Sequence, residues 1–415
     1  MMLKEYTQRP YNVSILKSVE KRMPPTSNIL EERWLHKLFL FLQAPATWSK
    51  WQLAVGLLVL AFMVELIWLP LGPATYLAAI LYLIFSLGDW ALLGWLPYTK
   101  RSFGPVGPQL FVLTLPRLGA AILSAVIALL FGVLVGLAAL AIFQALGTLV
   151  YVWASLREPF ALGLTLQHLT LPDWQAGTLP LRLLHLSDLH VERLTRREAQ
   201  LLQMIEQTRP DVIVITGDFL NLSYVDEPLA RAEVRQVLEK LSAPYGVYAT
   251  LGSPPVDPRE TTPSLLDGLA IRLLRDEVAV LSLPDGRRLS LLGLDCEHDL
   301  ESDVSALRQL MAQTPPDAPR ILLYHSPELM PQAQEYPLDL YLCGHTHGGQ
   351  MRMPFYGAIL TSSSLGKRYE MGHYHEQGTT LYISRGVGLE GLCAPRMRLL
   401  CEPEIILWTL DGRRV

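Results

Sequence analysis

This 415-residue chain is poor in charged residues and in cysteine, and each shortage argues against a class of protein. Charged residues make up only 18% of it and the net charge is -4, which gives no sign of the clustered basic face of a nucleic-acid-binding protein. We therefore expect no nucleic-acid partner. The four cysteines form no Cys-x-x-Cys pair, so a thiolate metal site or redox pair is not expected. We expect them to be buried thiols in a reducing compartment.

The beginning of the chain also lacks the features of a secretory signal peptide, which places an apolar core and a small-residue cleavage site near the start. Residues 1–50 are instead polar and basic. They are predicted to form a cytoplasmic tail that lies on the anionic surface of the membrane. A disordered, solvated tail is the alternative that the composition leaves open.

Apolar residues make up 50% of the chain, which is high for a wholly soluble protein, and the excess lies almost entirely before Ser155. Leu53–Leu69 and Tyr76–Leu96 are each long enough to cross a hydrocarbon core of ~30 Å as helices. Leu110–Trp153 is too long for one crossing and about right for two, with a turn near Gly132–Gly136. The sequence thus predicts a four-helix transmembrane domain over residues 51–155 in a multi-pass protein of the cell membrane.

Basic residues beside the spans predict how the chain is oriented, because Lys and Arg favour the cytoplasmic side. The tail and the Lys100-Arg101 link would lie inside, and with four spans everything after Arg157 would be cytoplasmic. A three-span count would place it outside. Glu65, Asp89 and Arg117 lie within or near the ends of these segments; a charge inside the membrane would be a candidate functional residue, but these side chains are expected to reach the membrane interface.

The composition after Glu158 is typical of a globular α/β domain, predicted over residues 160–415. Leu181–Leu186 and Asp211–Thr216 are apolar strands separated by a helical pattern, which favours a largely parallel sheet covered by helices. The later strands Val278–Leu283 and Leu289–Leu294 surround a Pro-Asp-Gly turn and predict a hairpin. The expected fold is a mixed β-sandwich flanked by helices.

Six acids and imidazoles each follow an apolar strand of this domain. Side chains at the carboxyl ends of strands meet at one edge of an open α/β sheet, so they are expected to converge. Carboxylates with imidazoles suit divalent Mn, Fe or Zn. An isolated His-x-His is more often a pair of solvated loop residues, but the repetition across strands favours a metal site. The candidate ligands are Asp188, His190, Asp218, His325, His345 and His347.

These motifs resemble the calcineurin-like metallophosphoesterases, in particular their bacterial membrane-anchored branch. The resemblance rests on Ser187-Asp188-Leu189-His190, Gly217-Asp218, His325 and the run Gly-His-Thr-His-Gly-Gly-Gln at 344–350, and it covers roughly Leu164–Trp408. It implies a mixed α/β sandwich that hydrolyses phosphomonoesters or phosphodiesters with two divalent ions, which activate water and hold the phosphoryl oxygens. By resemblance, one ion would be held by Asp188, His190, Asp218 and His347, with Asp218 bridging to a second ion held by His325 and His345.

One motif departs from the family pattern. Where the family usually carries Gly-Asn-His followed by an acid, this chain has Gly252-Ser253-Pro254-Pro255. Ser253 is a poorer neutral metal ligand than asparagine, so the second site is predicted to be weakened. Pro254 can neither donate nor accept a proton, and general acid or base assistance is worth roughly 10²–10⁴ in rate.

Other residues near this motif are ambiguous from sequence. Asp257 is either a substitute ligand or, beside a proline, a turn former, and the turn is the expected role. Asp295 and His298 follow a strand and could reach the crevice, although an ordinary loop role is expected for His298. His373 and His375 are expected on the surface.

Two functions of different kinds follow. The first is a membrane-anchored, metal-dependent phosphoesterase whose substrate is a phosphorylated small molecule or a lipid-linked phosphate. The second is a catalytically impaired sensor of the same fold that binds metal or phosphate.

Overall fold

The computed structural model describes residues 41–175 and 177–412. They divide into two compact units. The first contains residues 41–157 and Gly391–Arg396, and the second contains Glu158–Glu390 and residues 397–412. Most of the predicted basic tail lies outside the described residues.

The described part of the first unit contains four helices that are long and apolar enough to cross a membrane, in agreement with the predicted number. The predicted turn within the long apolar run falls at Gly132. Its φ of 97° is a conformation that glycine adopts readily and other residues adopt rarely. The first helix begins at a capping box formed by Ser49 and Gln52. The helices are Lys50–Trp68, Ala74–Trp95, Val106–Phe131 and Val133–Leu156.

Asp89 and Arg117 form an ion pair inside this helical unit, so the expectation that they reach the membrane interface is wrong. Both side chains are buried, and the Arg117 guanidinium donates to both carboxylate oxygens of Asp89. It also donates to Gln144 Oε1 at 2.8 Å and Thr148 Oγ1 at 3.0 Å. The pair joins three helices, because Asp89, Arg117 and Gln144 stand on different helices. The surrounding apolar side chains could not offer such partners to a buried charge.

Breaking this ion pair should destabilise the helical unit. In Arg117→Leu the Asp89 carboxylate stays buried without its partner, and breaking a buried pair from one side costs about 3–5 kcal/mol. We expect a lower thermal unfolding midpoint for the full chain in detergent. The double variant Asp89→Leu with Arg117→Leu should recover most of the loss, since no charge is left unpaired. A double variant as unstable as Arg117→Leu would show that side-chain shape matters here, and not charge pairing.

The second unit contains two six-stranded mixed sheets, which confirms the predicted sandwich. The first sheet has the order β1-β14-β2-β3-β4-β5, with β2 to β5 parallel, and the second has the order β12-β13-β9-β8-β7-β6. The predicted hairpin is confirmed, since β6 pairs antiparallel with β7 and Val278 lies opposite Leu292.

The strands of the first sheet are β1 (Gly163–Leu171), β2 (Leu181–Leu186), β3 (Val212–Thr216), β4 (Val247–Thr250), β5 (Ile271–Leu273) and β14 (Glu404–Gly412). Those of the second are β6 (Glu277–Ser282), β7 (Arg288–Gly293), β8 (Arg320–Leu323), β9 (Leu340–Cys343), β12 (Gly372–Glu376) and β13 (Thr379–Ile383). A two-stranded hairpin is formed by β10 (Arg352–Met353) and β11 (Gly357–Ala358), and the helices are Arg196–Thr208, Pro228–Leu238, Leu300–Gln313 and Met330–Ala333.

Apolar side chains from both sheets fill the space between them. Alternate residues of each strand point to opposite faces, so Leu183 and Val214 meet Leu291 and Leu342 between the sheets. The opposite face of the first sheet packs against the helices Arg196–Thr208 and Pro228–Leu238, and that of the second sheet against Leu300–Gln313. Both faces of the central strands are therefore buried, and polar side chains concentrate in the loops at their ends.

Candidate metal centre

The six candidate ligands stand in loops at the carboxyl ends of β2, β3, β8 and β9, and the structure brings them together. β2 and β3 belong to the first sheet and β8 and β9 to the second, so the carboxyl ends of parallel strands from both sheets meet here, which is why residues more than a hundred positions apart lie together. Glycines make room for them: a Cβ at Gly344 would collide with the Asp188 carboxylate, and one at Gly252 with that of Asp218. The sheet edges thus form a close-packed polar crevice.

Asp188, His190 and His347 form the first group, with ligand atoms that all lie within 4.8 Å of one another. His190 Nε2 is 2.9 Å from His347 Nε2, and His347 Nε2 is 3.5 Å from Asp188 Oδ1. The Nδ1 of His190 lies 3.2 Å from the carbonyl of Leu220. A proton on Nδ1 donates to that carbonyl and leaves the Nε2 lone pair facing the centre, as in metal-binding histidines.

Asp188, Asp218 and His325 form a second group of the same size. His325 Nε2 lies 3.3 Å from Asp218 Oδ2, while His325 Nδ1 lies 2.7 Å from the Thr216 carbonyl and donates a proton to it. Asp218 Oδ2 is also 3.4 Å from His190 Nε2 in the first group. One carboxylate therefore lies between both sets of imidazoles.

His345 stands beside the second group. Its ring centroid is 5.1 Å from that of His325. Its Nε2 lies 3.2 Å from the carbonyl of Ser362 and its Nδ1 lies 3.3 Å from Ser253 Oγ. With Nε2–H donating to the carbonyl, the Nδ1 lone pair points into the crevice.

The backbone of these loops is strained at the ligand positions. Non-glycine residues with positive φ are uncommon, cost about 1–3 kcal/mol each, and gather at functional sites. Five of the six candidate ligands have such a conformation. Their φ values are 51° at Asp188, 40° at His190, 56° at Asp218, 68° at His345 and 50° at His347.

The charges of the crevice fit a divalent cation. Asp188 and Asp218 are buried side by side, and burial raises the pKa of Asp188. Burial alone would lower the pKa of His325, but the Asp218 and Asp188 carboxylates raise it to about 10. The two carboxylates therefore attract positive charge strongly, and the oxygen and imidazole donors around them are those that Mn, Fe and Zn accept.

Ser253 and Pro254 occupy the loop after β4, at the same edge. Ser253 N donates to Asp218 Oδ1 at 2.8 Å, so this backbone fixes the carboxylate whichever side chain stands at 253. The hydroxyl of Ser253 faces His345, whereas Pro254 contributes no proton donor or acceptor from its side chain. The loop keeps its place in the site without the usual side-chain chemistry.

Asp257 supports the site from behind. Its buried carboxylate accepts hydrogen bonds from the backbone N–H groups of Asp218, Phe219 and Gly252, at 2.7, 3.2 and 2.8 Å. Burial and the neighbouring Asp218 carboxylate raise the pKa of Asp257 to about 6. Asp257 N donates to the Ser253 carbonyl at 2.8 Å, as in the predicted turn, but its carboxylate has a role that the turn prediction did not include, since it ties the β3 loop to the β4 loop.

The remaining ambiguous positions separate clearly. His373 and His375 are exposed, as predicted. Asp295 pairs with Arg275, with 2.7 Å between Arg275 Nη2 and Asp295 Oδ2, whereas His298 reaches the crevice and lies 3.1 Å from Ser253 Oγ. Sequence reasoning also missed Glu390, whose carboxylate is 3.9 Å from His347 Nε2. Glu390 stands in a loop seven positions after the end of β13, so no local pattern marks it.

Comparison with known proteins gives matches to one kind of enzyme. A family model described as calcineurin-like phosphoesterase matches residues 181–253, which include Asp188, His190 and Asp218. The chain is 34% identical over 214 residues to the uncharacterized metallophosphoesterase YkuE of Bacillus subtilis, covering 50% of this chain and 70% of YkuE. It is 31% identical over 243 residues to the phosphodiesterase YaeI of Escherichia coli, covering 56% of this chain and 82% of YaeI.

A further relative has a named lipid substrate. The chain is 26% identical over 328 residues to the UDP-2,3-diacylglucosamine pyrophosphatase LpxG of Chlamydia trachomatis. The alignment covers 65% of this chain and 95% of LpxG. Each of the three relatives is thus matched over more than two thirds of its own length.

Proposed function

The chain belongs to the calcineurin-like phosphoesterases, and we propose that it is a membrane-anchored hydrolase of phosphoesters that depends on two divalent metal ions. The single observation that carries this proposal is the meeting of two ligand groups, Asp188-His190-His347 and Asp188-Asp218-His325, where the carboxyl ends of strands from both sheets lie together. The ions, when bound, would supply an activated water and neutralise the charge on the phosphoryl oxygens.

The residues of this chain hold and shape that site. Asp218 lies within reach of both groups and would bridge the two ions, and Asp257 and the Ser253 N–H keep its carboxylate and backbone in place. The Leu220 and Thr216 carbonyls accept from Nδ1 of His190 and His325 and so orient the rings with Nε2 facing the centre. The crevice is therefore organised before a ligand arrives.

The test of this function uses the full chain purified in detergent and treated with EDTA. Mn²⁺ is then added with a chromogenic phosphodiester, bis(p-nitrophenyl) phosphate, or with the corresponding monoester. Release of nitrophenol that requires Mn²⁺ and is reversed by EDTA supports a metal-dependent phosphoesterase. Absence of release from both substrates, in protein that retains its metal, favours the sensor, for which the missing proton donor at Pro254 is the specific observation.

An exposed apolar hairpin beside the crevice supports a lipid-linked substrate. The segment 353–360 around β10 and β11 exposes Phe355 completely and Leu360 by 69%. Two residues after Leu360, the Ser362 carbonyl accepts from His345. Lys367 lies over the Tyr356 ring, 3.6 Å from its centroid. Exposed aromatic and aliphatic side chains with a neighbouring cation are typical of a surface that contacts acyl chains and anionic headgroups.

Removing the apolar tip should therefore affect lipid-linked substrates selectively. In Phe355→Ser with Leu360→Ser we expect the KM for a diacylglycerol-linked nucleotide in mixed micelles to rise at least ~10-fold, because each buried large apolar side chain is worth about 1.5–3 kcal/mol. Hydrolysis of bis(p-nitrophenyl) phosphate should be unchanged. The control is Leu179→Ser, at another strongly exposed leucine. Equal losses on both substrates would argue against a lipid contact.

We also propose that the catalytic unit is cytoplasmic. An even number of spans keeps both ends of the chain on one side, and the basic Lys100-Arg101 link favours the cytoplasm for that side. A fluorescent reporter fused after Val415 should fold inside the cell, and an alkaline phosphatase reporter at the same point should be inactive. The opposite pair of results would require an odd number of spans or four spans in the reverse orientation.

A further inference from the structure

The loop after β7 brings a further imidazole to the crevice. Strand β7 runs parallel to β8, so its carboxyl end faces the crevice as those of β8 and β9 do. His298 stands in this loop with a φ of 55°, the conformation shared by the candidate ligands. Its Nε2 is 3.1 Å from Ser253 Oγ, and its ring centroid is 4.9 Å from that of His345.

Glu328 adds an oxygen to this corner of the crevice. A carboxylate oxygen of Glu328, a nitrogen of His298 and a nitrogen of His345 all lie within 4.8 Å of one another. Glu328 Oε1 accepts from Ser364 N at 3.0 Å, but the buried Oε2 has no hydrogen-bond partner among the described residues. A buried, unpaired carboxylate oxygen is costly, and a bound cation would satisfy it.

We propose that His298 takes the place of the missing asparagine and binds the second metal ion, together with His345 and Glu328. This inference rests on the proposed metal-dependent function. Ser253 offers a hydroxyl and no amide oxygen, and His298 Nε2 lies 3.1 Å from that hydroxyl. The weak second site of the sequence motif is thus completed from a different loop.

Arg259 holds this loop in position. Its guanidinium donates to the carbonyls of Gly252 and Asp257, at 3.0 and 2.8 Å, on the β4 side. On the β7 side it donates to the Cys296 carbonyl and, through Nε, to Glu297 Oε1 at 2.9 Å. One planar side chain therefore joins the loop of Ser253 to the loop of His298. Such fixed geometry is what a ligand from an irregular loop requires.

The test measures metal binding directly. The full chain in detergent is stripped with EDTA, reloaded with Mn²⁺ and desalted, and bound manganese is counted by mass spectrometry. Exchange coupling between two Mn²⁺ ions is followed by electron paramagnetic resonance. We expect two coupled ions in the parent protein. His298→Ala should retain one uncoupled ion, with affinity for the second at least ~10–100-fold lower, the loss known for supporting residues of metal sites.

Two further variants separate ligation from folding. Ser253→Asn added to His298→Ala should restore two coupled ions, because the amide oxygen returns from the β4 loop. Glu328→Gln should weaken binding of the second ion and leave binding of the first unchanged. The control is His373→Ala, which removes an exposed imidazole of the same unit and should keep both ions. If the metal-free form of His298→Ala melts below the metal-free parent, His298→Asn replaces it and is expected to retain the second ion.

Two results would overturn the inference. One is that His298→Ala keeps the manganese affinity and the exchange coupling of the parent protein. The other is that the parent protein itself binds only one ion, as His298→Ala is expected to do. Failure of the proposed function looks different: a parent with two coupled ions that cleaves no phosphoester refutes the enzyme and leaves the role of His298 intact.

Discussion

Replacing His347 by alanine should remove the first metal ion and abolish phosphoester hydrolysis. His347 Nε2 lies 2.9 Å from that of His190 and 3.5 Å from Asp188 Oδ1, at the centre of the first group. Loss of a direct ligand should exceed the ~10–100-fold effect of a supporting residue, so we expect kcat/KM to fall more than ~100-fold. Activity on bis(p-nitrophenyl) phosphate and bound manganese would be measured on the same preparation.

The matched control for this experiment is His373→Ala, since both variants lose one imidazole from the same unit but His373 is exposed on β12. It should retain metal and activity. Because His347 is buried, the thermal midpoints of the metal-free proteins must also be compared. Full activity in His347→Ala, with manganese still bound, would place the reaction at another site.

The strands and the six candidate ligands could be predicted from sequence for a physical reason. Buried parallel strands read as continuous apolar runs, and the first polar residues after each run necessarily stand at the carboxyl edge. Asp188 and Asp218 follow β2 and β3, and His325 and His345 follow β8 and β9. Their position is fixed by the regular part of the fold, so a local pattern was sufficient.

Residues held by irregular loops could not be placed in the same way. His298 stands five positions after the end of β7, and its approach to Ser253 depends on Arg259, whose contacts lie 37 and 38 positions away along the chain. Asp257 looks like a turn residue, yet it supports the Asp218 backbone. These roles depend on long-range contacts that have no periodicity in the sequence.

In the helical unit, too, the sequence predicts the elements but not the long-range contacts between them. The lengths of the apolar runs predicted four helices, because the thickness of a bilayer sets how many residues a span needs. The pairing of Asp89 with Arg117 depends on how each helix is rotated about its axis. Apolar residues cover all sides of these helices, so their pattern carries little information about rotation. The sequence therefore predicted Asp89 and Arg117 at the ends of spans, whereas the structure pairs them inside the helical unit.

Restoring the family motif should raise the rate of the enzyme. Pro254→His introduces the proton donor that the crevice lacks, and Ser253→Asn supplies a second-ion ligand from the β4 loop. General acid assistance is worth roughly 10²–10⁴, so we expect kcat of the double variant to rise by that order. Pro254→His should account for most of the gain in kcat. Ser253→Asn alone should change metal affinity more than rate, since ligation does not provide a proton.

The double variant also tests how the two loops share the second ion. With asparagine at 253, His298 is no longer required as a ligand. Adding His298→Ala should therefore change the amount of bound metal and the kcat only slightly. Loss of a proline from the loop makes the unfolded chain freer and should cost about 0.4–1 kcal/mol of stability, which leaves the fold intact. The pH dependence of kcat distinguishes the remaining cases. A gain that follows the titration of a single new imidazole identifies residue 254 as the donor, whereas an unchanged rate with two bound ions would mean that leaving-group protonation does not limit this enzyme.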